Sequence, residues 1–366
     1  MRDERGLLQY GAVHRRVLSG RHPVVALLVV AGCHRGAAPH NRQLAAGHFT
    51  GCLLHDGHVT CWPVGRTSPD DITGPIEGVD DAVQLSVGLS TSCVVRTDHT
   101  VACWGIDWTA APGSPQPVRR AVEVAKLDGV VQISVGRSHV CAVRSTGEVD
   151  CWGDNFRGQL GLAGSYEARK PSPVAGITDA VEVSCGDDHT CVRHRDGTVS
   201  CFGTMAPGLH ASQAMRTIDG LHDITALASG AQFTCGITRG GEAWCAGHNS
   251  LAELGGGDHD PHTDVVRVRG LEHVAQISAS GPHACARTDG GEVWCWGSEF
   301  GHGIMPARTD DVDKGPLRTT GLAKANEIAV GEQQACALVD GGGVWCWGPA
   351  PAAERGQAVP AQRTVE

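Results

Sequence analysis

Short runs in which apolar and polar residues alternate return along the chain at a nearly regular interval. Gln43-Leu-Ala-Ala-Gly47 aligns with Gln84-Leu-Ser-Val-Gly88, Gln132-Ile-Ser-Val-Gly136, Glu182-Val-Ser-Cys-Gly186, Ala226-Leu-Ala-Ser-Gly230, Gln276-Ile-Ser-Ala-Ser280 and Glu327-Ile-Ala-Val-Gly331. Alternation with a period of two, closed by glycine, predicts a half-buried β-strand that ends in a turn. Each run leads into a second pattern, a thirteen-residue frame such as Cys285-Ala-Arg-Thr-Asp-Gly-Gly-Glu-Val-Trp-Cys295-Trp-Gly297. The frame recurs from Cys141 to Gly153, Cys191 to Gly203, Cys235 to Gly247, Cys336 to Gly348 and Cys93 to Gly105, with a shorter copy from Cys52 to Trp62.

The cysteines set the register within the frame. With Cys141 opposite Cys151, Ala142 faces Asp150, Val143 faces Val149 and Arg144 faces Glu148, which leaves Ser145-Thr146-Gly147 as a three-residue hairpin loop. The third residue of such a loop is left-handed, a conformation that favours glycine. Gly147, Gly197, Gly241, Gly291 and Gly342 hold that place, and His99 departs from it. In the first copy the shorter spacing leaves Asp56-Gly57, the sequence a type I′ turn prefers. Spacing and turn chemistry change together, so the cysteines are predicted to be cross-strand partners: Cys52 with Cys61, Cys93 with Cys103, Cys141 with Cys151, Cys191 with Cys201, Cys235 with Cys245, Cys285 with Cys295 and Cys336 with Cys346. Opposed antiparallel residues lie about 4.5 to 5.5 Å apart, within the reach of a disulfide.

A weak fourth strand follows most frames, at Pro173-Val-Ala-Gly176, Arg216-Thr-Ile-Asp219, Val265-Val-Arg-Val268 and Leu317-Arg-Thr-Thr320. Successive first cysteines are 41, 48, 50, 44, 50 and 51 residues apart, the length of a four-stranded propeller blade and longer than an ankyrin or tetratricopeptide unit. The predicted fold is therefore all-β, a seven-bladed β-propeller with one cross-strand disulfide per blade, spanning residues 43–366. The last strand, Ala358-Val-Pro-Ala-Gln-Arg363, has no eighth repeat to follow it. It is expected to close the ring by joining a sheet that also contains Gln43 to Gly47, which would remove an open edge.

Composition sharpens this picture. Fifty glycines break any sustained helical period. Fourteen of the sixteen cysteines fall into the seven pairs. Zinc ligation, the competing use, ordinarily brings cysteines two to four residues apart, and the chain has no CxxC. Paired thiols at a fixed spacing point instead to an oxidising compartment. Eight of the nine tryptophans flank the second cysteine: Trp62, Trp104, Trp152, Trp296 and Trp347 follow it, and Trp244, Trp294 and Trp345 precede it. Strand neighbours of a residue point away from it, so each blade should show its disulfide on one side and its indoles on the other.

At the amino terminus Arg15, Arg16 and Arg21 precede an apolar run, Val24 to Ala31, that ends in Val30-Ala31-Gly32-Cys33. The run is too short to span a bilayer as a helix. The tetrapeptide resembles a bacterial lipobox, which implies a signal peptide over residues 1–32, lipidation of Cys33 and a tether over residues 33–42; secretion without a lipid is the other reading. Removing residues 1–32 leaves 25 basic and 38 acidic residues, a net charge of −13. Such a surface repels phosphate backbones, so nucleic acid is not an expected partner.

The third repeat reads Ile133-Ser-Val-Gly136, Ser138-His139-Val-Cys-Ala-Val143, Gly147-Glu-Val149 and Trp152-Gly-Asp-Asn155-Phe-Arg-Gly158-Gln-Leu-Gly161. It resembles the repeat of the regulator of chromosome condensation family, whose members are seven-bladed β-propellers. The resemblance covers about residues 43–363, with an imperfect echo of the Gly-Gln-Leu-Gly element at Asn249-Ser-Leu-Ala-Glu-Leu-Gly255. The paired cysteines depart from the eukaryotic pattern. Family function is mixed: the founding member catalyses nucleotide exchange on a nuclear GTPase and binds chromatin, and a secreted bacterial relative blocks β-lactamase through one propeller face. An oxidised, anchored, acidic chain has no access to a cytoplasmic GTPase.

Other chemistry is thinly represented. Thr288-Asp-Gly-Gly-Glu-Val-Trp294 resembles the Asp-box turn of sialidase-like propellers, but a retaining sialidase needs a tyrosine nucleophile, and after residue 32 only Tyr166 is present. Asp258-His259-Asp260-Pro-His262-Thr-Asp264 alternates acid and imidazole, and reads as a solvated loop rather than a metal site. Cys185, in a strand, reads as a buried inert thiol. The expectation is a monomeric, non-catalytic propeller with no cofactor that binds an envelope protein, with glycan binding or sialidase activity as the alternative and nucleotide exchange the weakest one. The segments that do not repeat supply the candidate contacts Trp108, Phe156, Arg157 and Phe300.

Overall fold

The structure, a computed structural model, describes residues 42–48, 50–63, 74–105, 118–205, 212–259, 264–298, 315–348 and 359–360. All of them belong to a compact unit from His40 to Glu366, and residues 1–39 are a separate unit outside the description. Cys33, Trp108 and Phe300 thus lie outside the described residues.

Among the described residues, twenty-eight strands form seven four-stranded antiparallel sheets, and in every sheet hydrogen-bond order is chain order. The sheets are the blades, numbered here 1 to 7 along the chain. Blade 3 is representative, with strands Val130–Val135, His139–Arg144, Val149–Asp154 and Glu167–Pro173. The first strand of each blade lies at the ring axis. There glycine is required by close approach: a Cβ on Gly88 would collide with the carbonyl oxygen of Gly136, and one on Gly331 with that of Gly47.

The register derived from the cysteines is the one present. Cys141 pairs with Cys151, Ala142 with Asp150 and Val143 with Val149, and the Arg144 amide donates to the Glu148 carbonyl at 2.9 Å. Gly147 has φ 88°, and His99, at the position where glycine is missing, is also left-handed at φ 66°. Asp56 and Gly57 have φ 50° and 85°, the two positive values a type I′ turn requires. All seven predicted disulfides are present. Their Cα separations, 4.0 to 4.1 Å, are shorter than the expected spacing.

Two expectations are corrected. The carboxy-terminal strand Val359–Pro360 does not join the first sheet; it pairs with Val344–Trp347 as the fourth strand of blade 7. Blade 1 is completed by its own Gly74–Pro75, which leaves no strand position there for the chain end to fill. In blade 3 the fourth strand is Glu167–Pro173 rather than Pro173 to Gly176. Val174 only continues it, its amide donating a hydrogen bond to the Val149 carbonyl at 2.9 Å and its side chain turned into the core.

Packing between blades uses both faces of each sheet. Trp296 of blade 6 is 0% exposed, and its indole N–H donates to the Glu253 carbonyl of blade 5 at 2.8 Å. The disulfide face looks the other way: Cys191 of blade 4 lies 3.2 Å from the Thr234 hydroxyl of blade 5. Disulfide and aromatic ring therefore fill opposite interfaces, as alternation along a strand demands.

A polar ladder runs beside this apolar packing. In blade 1 the Gln43 side-chain oxygen accepts from the Leu85 amide at 2.7 Å and its nitrogen donates to the Leu85 carbonyl at 3.1 Å, across to blade 2. Gln84 does the same to Ile133, Gln132 to Val183 and Gln276 to Ile328. Glu182 replaces the glutamine in blade 4, accepting from the Leu227 amide at 3.1 Å while Arg193 neutralises it at 2.7 Å. Ala226 holds the position in blade 5.

Candidate functional site

In every blade the link between the first and second strands and the link between the third and fourth leave on one face of the ring; the tight hairpin turn lies on the other. Among the described residues, the non-repeating links of blades 3 and 5 are of the former kind and leave on the same face. At its centre, polar pairs bridge neighbouring blades. His48 of blade 1 pairs with Glu332 of blade 7, and Arg137 of blade 3 lies 3.4 Å from Asp187 of blade 4. Burial pushes the Asp187 carboxyl up, against the pull of Arg137. Behind these groups a narrow cavity of about 60 Å³ follows the axis, bounded by Gly47, Gly88, Gly136 and Gly186.

The most built feature of the face is the link from Asp154 to Tyr166. Asn155 organises it: its side-chain nitrogen donates to the carbonyls of Leu162 at 2.9 Å and Ser165 at 2.7 Å, and its oxygen accepts from the Leu160 amide at 2.8 Å. Gln159 accepts from the Arg157 amide at 2.8 Å and donates to Asp154 at 2.8 Å. Leu160 is fully buried, and Phe202 of blade 4 packs where a Cβ on Gly161 would sit. The Gly-Gln-Leu-Gly element therefore anchors the link to the next blade.

What this frame holds outward is aromatic. Phe156 and Tyr166 are 72% and 71% exposed, with ring centroids 5.4 Å apart. Arg157 stands exposed beside them. Ser165 and Glu167, on either side of Tyr166, line an outer groove of about 700 Å³ between blades 2 and 3, together with Val124, Leu162 and Lys170. Of the candidates read from the sequence, Phe156 and Arg157 are brought together here. Tyr166 is not among the contacts the sequence offers; the signal for it is its place in a non-repeating segment.

Blade 5 has the same link with different chemistry. Asn249 accepts from the Leu254 amide at 3.0 Å, Glu253 accepts from the Leu251 amide at 2.7 Å, and His248 takes the place of Asp154, 2.9 Å from Glu253. Asp258 accepts from Asn249 at 2.9 Å, and the His259 ring lies 3.1 Å from the Ser250 carbonyl. Two members of the acid-imidazole alternation thus brace a loop; Asp260 and His262 lie outside the described residues.

Buried titratable groups are structural. His139 Nε2 bonds the Thr190 hydroxyl at 2.8 Å and His189 Nε2 the Thr234 hydroxyl at 2.7 Å, each joining one blade to the next. Burial pulls their pKa values down to about 3 and about 4, so both are neutral. Cys185 donates to the Ser134 carbonyl at 3.4 Å, and burial pushes its thiol up to about 12. Its sulfur lies within 4.8 Å of ligand atoms of His139 and Cys141, but Cys141 is committed to its disulfide and offers no thiolate. Among the described residues no helix is long and apolar enough to cross a membrane.

A closed ring of seven blades, each stapled by a disulfide, defines a seven-bladed β-propeller matured in an oxidising compartment. The Regulator of chromosome condensation (RCC1) repeat matches residues 130–159, 224–251 and 274–303, and a second description of that repeat matches residues 146–193. The RCC1 repeat is thus recognised over residues 130–193, 224–251 and 274–303. Its fold is similar to that of human WBSCR16, at 18% identity and TM-score 0.66 over 79% of this chain and 85% of the other. Prp20p from Saccharomyces cerevisiae, the yeast RCC1, gives 16% identity and TM-score 0.65 over 87% and 82%. The ectodomain of the Physcomitrella patens receptor kinase CR4 gives 19% identity and TM-score 0.53 over 85% and 74%. By sequence, no curated protein matches the chain.

Proposed function

We propose that the chain is a non-catalytic propeller that binds another protein at the bacterial cell envelope, and that Phe156, Tyr166 and Arg157 are its principal contacts. The observation that carries this reading is the exposed Phe156–Tyr166 pair, held by a buried Asn155 and Leu160. Aromatic residues and arginine carry a disproportionate share of binding energy at protein interfaces, and a rigid platform loses little entropy on association. The fold agrees with this use, since Prp20 is known bound to Kap60 and has binding properties to Gsp1p and histones. Anchoring at the envelope rests on the resemblance of Val30 to Cys33 to a lipobox.

Pull-down from envelope extract with the oxidised propeller tests the first part. Phe156→Ala with Tyr166→Ala should reduce capture of a specific partner at least ten-fold while the seven disulfides and the melting temperature are kept; capture unchanged in that variant refutes the surface. A glycan array and a sialidase assay run in parallel would favour the alternative if either is positive and the pull-down is empty. For the anchor, metabolic acyl label should enter the wild type and be absent from Cys33→Ala; label retained in the variant refutes lipidation at Cys33.

A further inference from the structure

Among the described residues, the ring closes between blades 7 and 1 without a shared strand, and this seam has the least apolar support. Its described core is three buried residues, Leu44, Ala329 and Cys336, whereas the cluster spanning blades 5 to 7 has 24. That larger cluster covers the one step where Ala226 interrupts the glutamine ladder. At the closing step the ladder residue is Glu327, which takes the amide of Leu44 as the glutamines take those of Leu85, Ile133, Val183 and Ile328.

A glutamine makes two bonds there, accepting from the amide and donating to the carbonyl of the same residue. A carboxylate has no proton to donate, but a carboxylic acid has one and keeps an acceptor. Glu182, the other acid in the ladder, has Arg193 against it at 2.7 Å. Glu327 has no such bonded cation among the described residues. Opposite it on its own blade is Leu338, the amide of its neighbour Ile328 donates to Gln276 of blade 6, and its carboxyl takes the amide of Leu44 on blade 1. The cation that acts on it is Arg287 of blade 6, whose guanidinium is engaged with Gln276 at 3.4 Å and the Thr288 carbonyl at 3.1 Å. Lys324 and Arg42 stand at the exposed ends of the two strands. Farther along the same seam is the His48–Glu332 pair, which is ionic only while His48 is protonated.

We propose that the propeller is closed by a proton-dependent latch, in which a neutral Glu327 both accepts from the Leu44 amide and donates to the Leu44 carbonyl. Burial pushes the Glu327 carboxyl up to about 7, with the Leu44 bond and Arg287 opposing. A raised folded value means the contribution is complete below the ordinary value of 4.5 and is lost as pH rises through about 7. This contact is therefore strongest in mild acid. The seam opens first as the medium turns alkaline.

Hydrogen exchange on the full oxidised chain tests this, at about pH 5.5 and about pH 8 with rates corrected for intrinsic exchange. In the wild type, protection of the strands Arg42–Ala46 and Ala325–Val330 should fall about ten-fold or more between the two conditions, while Val130–Val135 of blade 3 stays level. Glu327→Gln, which installs the side chain found at four other steps, should hold the acid-form protection at both values. A fall in Glu327→Gln equal to that of the wild type, or a wild-type seam as level as blade 3, overturns the latch. Intact mass showing seven disulfides in the variant keeps either result interpretable.

Discussion

His139 and His189 show how a residue ordinarily associated with chemistry becomes structural. Each lies in the second strand of its blade with its Nε2 on a threonine hydroxyl of the next, and Thr190 passes its own proton to the Gln159 carbonyl at 2.8 Å. Protonating either ring would bury a charge between blades, and burial is what pulls them to about 3 and about 4. A depressed folded value puts their stabilisation in full above the ordinary 6.5, to be lost as pH falls toward those values. The melting temperature of the wild type should drop as pH is lowered from about 6.5 to about 4, and His139→Gln should show a shallower drop by thermal melts across that range. An equal slope in both would remove His139 as the cause.

At the scale of the element, the disulfide hairpin is the unit that repeats. It fixes register through its turn and its cysteines together, and it presents sulfur to one neighbour and an aromatic ring to the other. Each bond closes a loop of about ten residues, worth roughly 2 to 3 kcal/mol in the chain-entropy model. Cys141→Ser with Cys151→Ser should therefore lower unfolding stability by about 2 to 3 kcal/mol in denaturant titration with the ring intact, because the remaining hairpins still specify it. Loss of the whole fold would instead mark blade 3 as indispensable. The link that follows the hairpin uses the same backbone plan in blades 3 and 5, yet only blade 3 places two aromatic rings in solvent. The plan of the link serves packing; the side chains it turns outward serve binding.

For the whole molecule, the two titrating systems act at opposite ends of the pH scale. The buried histidines weaken the ring in acid, and the Glu327 seam weakens it as the medium turns alkaline. Because every blade is made of four consecutive strands, closure has no covalent or shared-strand advantage over any other step. Its stability is set by what lies at that one interface.

Seven blades, their disulfides, the register of each hairpin and even the left-handed His99 were legible in the sequence, because each follows from period, spacing and local turn geometry. So was the opposition of cysteine and tryptophan, which needs only the alternation of a strand. The column of Gln43, Gln84, Gln132, Glu182, Gln276 and Glu327 was visible too, but as strand residues; that each reaches the backbone of the following blade is a relation between segments 42 to 52 residues apart where it is formed by direct bonds. The contact of Phe156 with Tyr166 and the way the last blade closes belong to the same category. Local rules determine strands and turns because their partners lie within one hairpin. Which hairpin meets which, and what charge is left at the seam, is decided only when the ring brings distant residues together.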